Sequence, residues 1–301
     1  MLIATAIDSA ELSIIQRSLL RERFPPFLLP LLDGRDPRGV QSAQVSIVTL
    51  EENGILCGIA LAVLYPALRY ADLLMIDCWS INELPLLQLQ LLLEKLRLEL
   101  ISHRCLTLNH TYREGGAFLA LLAEDSKAHK WDVPYLLTVE IHFESNNFNP
   151  PWLITQKILP DNVTLMLWEE AAEELKVGLR YRFEAANLLL ALSPFASNDP
   201  IEPLNSLLLL KDNEICGWMI CHRSTINCIR YSSFYVEHSD RSLALPLLAA
   251  AIRLQQRSAI PLATAIVNVE QVERSWLQFA KKRLIPYASK IDKTFATACI
   301  L

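Results

Sequence analysis

Apolar and polar positions fall into short alternating runs and longer runs at helical spacing, and the same order of runs occurs twice along the chain. In the first half, residues 1–7 read as a strand, and Asp8 or Ser9 caps a helical stretch reaching about Arg23. A connection holding Pro25, Pro26, Pro30, Gly34, Pro37 and Gly39 follows. Strands are expected near 44–50, 55–65 and 70–78, the first two joined by the hairpin signal Glu51-Glu52-Asn53-Gly54. A helix over 84–102, a strand at 104–109, a helix near 114–127 and a strand pair around 133–143 complete this half.

The second half predicts a strand at 152–158, helices at 167–182 and 184–192, and a Pro-rich loop at 194–203. Strands near 205–210, 214–223 and 228–237 follow, with Lys211-Asp212-Asn213 as the turn. A helix at 242–257, a strand at 261–267, a helix at 270–282 and a strand region at 285–298 come last. Each half is thus a β-α-α-β-β-β-α-β-α-β unit: an α/β protein of two tandem domains, each a mostly antiparallel mixed sheet flanked by helices.

Matching residues carry the repetition. Cys57-Gly58 echoes Cys216-Gly217, Arg69-Tyr70 echoes Arg230-Tyr231, Asn109 echoes Asn268, and Pro134-Tyr135 echoes Pro286-Tyr287. Their offsets are 159, 161, 159 and 152 residues, in unbroken order. Such self-similarity marks a duplicated domain. The polar, Asn-rich stretch closed by Pro150-Pro151 sets the boundary: one domain over 1–145, a linker at 146–151 and a second domain over 152–301.

Composition narrows the class. A formal charge of −5 argues against a nucleic-acid partner, which needs a clustered positive face. The chain is 52% hydrophobic, yet no run reaches the roughly 18–20 apolar residues that span a bilayer. The first residues lack the basic region of a signal peptide, so a cytoplasmic protein is expected. Seven cysteines form no Cys-x-x-Cys pair, and the histidines show no metal-binding spacing, so no metal site is expected.

The order of elements resembles the GNAT (acyl-CoA N-acyltransferase) fold, once per half. Residues 236–248, from Val236 through Arg241, Ser242 and Ala244, look like that family's passage from its fourth strand into the next helix, where backbone N–H groups wrap the acetyl-CoA pyrophosphate. The resemblance implies a cofactor site of Val236, Arg241, Ser242, Ala244 and Asn268, with Trp276 and Phe279 on the following helix. It implies Glu237 as base, with His238 beside it, and Tyr287 or Tyr235 as the acid. Residue by residue, Glu237 reads more readily as an exposed strand end, and Tyr287 as a structural residue repeated from Tyr135. The loop departs from the family's pattern: Ser and Ala replace its glycines, and Asp240 adds a charge that repels phosphate. In the first half, residues 80–85 have no glycine and include Glu83.

The helix at 84–101 carries two leucine stripes. Leu86, Leu89, Leu93, Leu96 and Leu100 suit a sheet-covering face, while Leu84, Leu87, Leu91 and Leu98 lie on another side. The second stripe packs inside the chain or docks a protein partner or second copy. Degenerate loops in both halves favour a pseudoenzyme: a GNAT-fold protein-binding, assembly or regulatory module that has lost acetyltransferase catalysis. The alternative is an N-acyltransferase using acetyl-CoA in the C-terminal domain.

Overall fold

The computed structural model describes residues 2–7, 12, 14–23, 28–30, 44–79, 85–115, 117–126, 130–154, 159–186, 188–189, 192–197, 199–269 and 274–301. The expected cap at Asp8 or Ser9, most of the Pro- and Gly-rich connection, and Leu84 lie outside them. Backbone contacts gather the chain into two units, Met1–Leu136 with Thr294–Leu301, and Leu137–Lys293. The chain runs through β1 (Leu2–Ile7), α1 (Ile14–Arg23), β2 (Gln44–Glu52), β3 (Ile55–Tyr65), β4 (Tyr70–Cys78), α2 (Pro85–Ser102), β5 (Thr107–Arg113) and α3 (Ala117–Asp125). It continues with β6 (Tyr135–Glu144), α4 (Pro151–Ile154), β7 (Val163–Leu167), α5 (Glu173–Ala185), β8 (Leu207–Lys211) and β9 (Glu214–Thr225). The last elements are β10 (Cys228–Val236), α6 (Ala244–Gln256), β11 (Leu262–Asn268), α7 (Arg274–Arg283) and β12 (Lys290–Ile300).

In the first unit the strand order is β1-β2-β3-β4-β5-β12, and in the second it is β6-β11-β10-β9-β8-β7. Pairing is antiparallel except for β4 with β5 and β10 with β11. Those two parallel pairs flank the helical crossovers α2 and α6, as parallel neighbours require. Both hairpin signals act as read. Asn53 (φ 53°) and Gly54 (φ 80°) turn β2 into β3, and Asp212 (φ 52°) and Asn213 (φ 68°) turn β8 into β9. Successive positive φ values match the twist of the flanking strands, and Asn, Asp and Gly tolerate them.

β3 and most of β9 are buried without alternation, so their sequences read as unbroken apolar runs. On one side of the first unit, Leu89, Leu92, Leu93, Leu96 and Leu100 of α2 pack with Val48, Ala60, Ala62 and Leu64 of the sheet. Ile47, Ile59, Leu61 and Val63 gather with Leu20 of α1 in a second cluster. In the second unit α5 sets Leu179 and Phe183 among Trp218, Ile220 and Leu208.

Several expected elements differ. Around 133–143 a single strand, β6, forms in place of a pair, and Trp131 makes only an isolated bridge to Cys299. β6 lies beside β11 in the second unit, while β12 closes the sheet of the first beside β5. The two halves have exchanged their final strands. Of the strand expected at 152–158, residues 155–158 lie outside the described residues and 152–154 form a helical turn, because Pro151 begins it at the position where a missing N–H costs nothing. The strand of this region is β7, and the helix expected from 167 begins only at Glu173. Segment 146–151 lies within the second unit, where Ser145 is buried and donates through Oγ to the Ile260 carbonyl.

Candidate functional site

Parallel pairing of β10 and β11 runs from Cys228↔Leu262 to Tyr231↔Ala265 and then stops. At that point β10 shifts register against β9 between Tyr231 and Ser233, leaving Ser232 as an extra residue. A bulge of this kind bends its strand and re-aims side chains. The first unit repeats the device: β4 and β5 pair from Tyr70↔Thr107 to Leu73↔His110, with a register shift opposite Leu61/Ala62.

Side chains line both gaps. In the second unit a cavity of about 60 Å³ remains, lined by Phe143, Tyr231, Ser232, Phe234, Ile266 and Asn268 among others. In the first unit His110 donates from Nδ1 to the Leu73 carbonyl at 2.7 Å, and its ring sits 4.1 Å from that of Phe118. Burial pushes this imidazole down to about 4, against the opposing pull of the Leu73 carbonyl.

One polar group at the second gap has no sequence motif. Ser232 Oγ lies 2.7 Å from Nδ1 of buried His222 and accepts from Arg230 Nε at 3.1 Å. Arg230 in turn donates to Asp199 at 2.6 Å. Burial lowers the His222 pKa and the Arg230 charge lowers it further, while Asp199 opposes them. His222 is therefore neutral near pH 7, and its Nε2 has no hydrogen-bond partner. Only the register of β9 on β10, which sets His222 opposite Arg230, brings these residues together.

The residues singled out from sequence occupy the junction of β10 with α6. Val236 pairs with Gly217, and the N–H of Glu237 donates to the Cys216 carbonyl at 2.8 Å. The Glu237 carboxylate is held by Arg182 at 2.7 Å. Residues 238–243 form 3-10 turns kinked at Asp240 ahead of α6, with Arg241 and Ser242 exposed. Asn268 ends β11 opposite Thr138 and lines the cavity. Glu237 and Tyr287 do not line it; the Tyr287 ring packs edge-on to Phe148 at 6.2 Å. Tyr235 stacks on Trp218 at 4.6 Å. Phe279 of α7 approaches Phe234 at 6.3 Å.

Two backbone N–H groups of this junction are already engaged within the chain. Binding a pyrophosphate needs outward backbone N–H groups. Here Asp240 N–H is turned to the Glu237 carbonyl, and Ala244 N–H to that of Arg241. The Asp240 carboxylate is nonetheless neutralised: Lys211 binds it at 2.7 Å and Ser239 donates to it at 2.8 Å, which holds its pKa below the usual range. On α2, Leu87 and Leu98 are exposed, whereas Leu91 is half-buried against the core. Among the described residues no helix is long and apolar enough to cross a membrane.

The fold has counterparts among solved structures. A tandem GNAT protein from the clavulanic acid biosynthesis pathway, solved without AcCoA, matches with a TM-score of 0.56 at 13% identity, over 99% of this chain and 98% of that one. The chain has the tandem GNAT fold. A GCN5-related N-acetyltransferase from Sphaerobacter thermophilus matches this tandem GNAT chain at a TM-score of 0.54 and 15% identity, over 98% of this chain and 95% of that one. No family model matches the sequence, and no curated protein matches it. Likeness at such identities establishes the fold alone, since one fold hosts many activities.

Proposed function

We propose that this tandem GNAT-fold protein has lost acyl-transfer turnover and serves as a protein-binding or assembly module. The observation that carries the reading is the small cavity beside β10 and β11, about 60 Å³. The inward-turned N–H groups of the β10–α6 junction and the engagement of Glu237 by Arg182 support it. Leu87 and Leu98 of α2, with Leu91 at the edge of that face, are the surface proposed for a protein partner or for self-association. A reducing, cytoplasmic setting accords with seven free cysteines.

Calorimetric titration with acetyl-CoA tests the loss of turnover. Neither heat nor thermal stabilisation is expected up to millimolar ligand. Saturable micromolar binding that Arg241→Glu abolishes overturns the reading.

A second reading, an N-acyltransferase in the second unit, is favoured by the Ser232–His222 pair at the gap. A neutral imidazole 2.7 Å from a hydroxyl lining the cavity is placed to take a proton from an incoming amine through that hydroxyl. Under this reading His222→Gln abolishes acetyl transfer to a panel of primary amines while acetyl-CoA binding persists.

A further inference from the structure

Away from the splayed strands, a set of donors occurs that no motif announces. Glu140 and His142 lie two apart on β6, so the strand's period of two places them on one face. Asp292, near the start of β12, reaches the same spot. His142 Nε2 lies 3.0 Å from Asp292 Oδ2 and 3.8 Å from Glu140 Oε1, and all three donor atoms fall within 4.8 Å of one another. His142 Nε2 is shielded from solvent and makes no aligned hydrogen bond, although it lies close to Asp292. A buried ring nitrogen left this way calls for an explanation.

We propose that Glu140, His142 and Asp292 form a binding site for a divalent cation of borderline softness, with Zn²⁺ as the preferred ion. One imidazole and two carboxylates are a donor set Zn²⁺ accepts. Tetrahedral coordination at the usual bond lengths separates its ligands by roughly 3.4 Å, and the observed distances bracket that value. Small side-chain movements therefore close the triad around an ion, leaving a fourth position for water. The backbone beneath is fixed: β6 pairs with β11 through His142↔Thr264, and Ser289 donates to the His142 carbonyl from its N–H at 2.8 Å and its Oγ at 3.0 Å.

Lys290 supplies the competing charge. Its Nζ sits 2.7 Å from the same Asp292 oxygen, on a side chain that is 64% exposed and free to swing away. Zn²⁺ would replace a weak surface ion pair with coordination bonds. It would also tie β6 to the segment by which the chain leaves the second unit.

Calorimetric titration of the full chain with Zn²⁺ near pH 7 tests this. One ion per chain is expected, with micromolar or tighter affinity. His142→Ala and the near-isosteric Asp292→Asn should each weaken binding at least about tenfold. Lys290→Met, which removes the competitor, should tighten it several-fold. Co²⁺ bound in place of Zn²⁺ should give weak visible bands without a thiolate charge-transfer band, which separates this site from the cysteines. The proposal fails if nothing binds up to about 1 mM Zn²⁺, if folded Asp292→Asn and His142→Ala bind as the wild type does, or if the cobalt spectrum is that of thiolate ligands.

Discussion

His110 Nδ1 lies 2.7 Å from the carbonyl of Leu73, at the last residue pair before β4 and β5 part. The side chain supplies the hydrogen bond that the ending ladder no longer provides, and its ring occupies the opening gap. Such a histidine must stay neutral, and that makes the first unit acid-sensitive.

The unfolded chain takes up a proton on this imidazole near pH 6.5, whereas burial delays that step to about 4 in the folded state. Between those values the unfolded state binds more protons, so stability falls as pH drops. The loss amounts to about 3 kcal/mol by the time both forms are protonated. Urea denaturation at pH 7 and at pH 4.5 should show wild type losing clearly more stability than His110→Asn.

The repeated Cys-Gly has a packing cause, which predicts unequal costs for adding one methyl group. A Cβ at Gly217 would stand 2.7 Å from the Tyr235 carbonyl oxygen, which is rigid backbone. At Gly58 the nearest atom, at 2.9 Å, is the Cys78 thiol, which can rotate. Gly217→Ala should cost about 1–3 kcal/mol and Gly58→Ala less. Thermal denaturation of the two variants checks the order.

Arg97 of α2 and Asp125 at the end of α3 form a buried pair, with Arg97 Nη1 2.8 Å from Asp125 Oδ1 and the Trp131 indole donating to the same carboxylate at 2.5 Å. Asp125→Ala leaves the guanidinium without its counter-charge and should cost about 3–5 kcal/mol. Replacing both partners, as in Arg97→Met with Asp125→Leu, should recover much of that loss in chemical denaturation.

Two of the three leucines proposed for a docking face, Leu91 and Leu98, should separate in a charge scan. Leu98 is 63% exposed, so Leu98→Glu should change stability by under about 0.5 kcal/mol. Leu91 packs on the core cluster, and Leu91→Glu should lower the melting temperature clearly. Sedimentation of folded Leu98→Glu beside wild type then reports on self-association.

Local chemistry made much of the architecture readable. Asn53-Gly54 and Asp212-Asn213 announced their hairpins because left-handed backbone selects those residues. The apolar runs of β3 and β9 and the sheet-facing stripe of α2 were equally plain. Properties set by distant partners were not. Asp240 reads in sequence as a charge hostile to phosphate, yet Lys211, on a neighbouring hairpin, neutralises it. Ser232 and His222 meet only through a bulge, and Asp292 reaches His142 across about half the chain. Where β6 and β12 pair cannot be read from their alternation, which is the same whichever sheet receives them.

The exchange of last strands governs how this chain can be made. Ile300 pairs with Thr107, so the edge of β5 waits for a segment synthesised nearly two hundred residues later. During that interval β5 presents a row of unpaired backbone groups, the kind of edge on which nascent chains aggregate. The second unit has no such wait for β6, which emerges from the ribosome ahead of the strand it joins. Cutting the chain at 146–151 would therefore not release two proteins but two incomplete sheets, each lacking the strand the other half encodes.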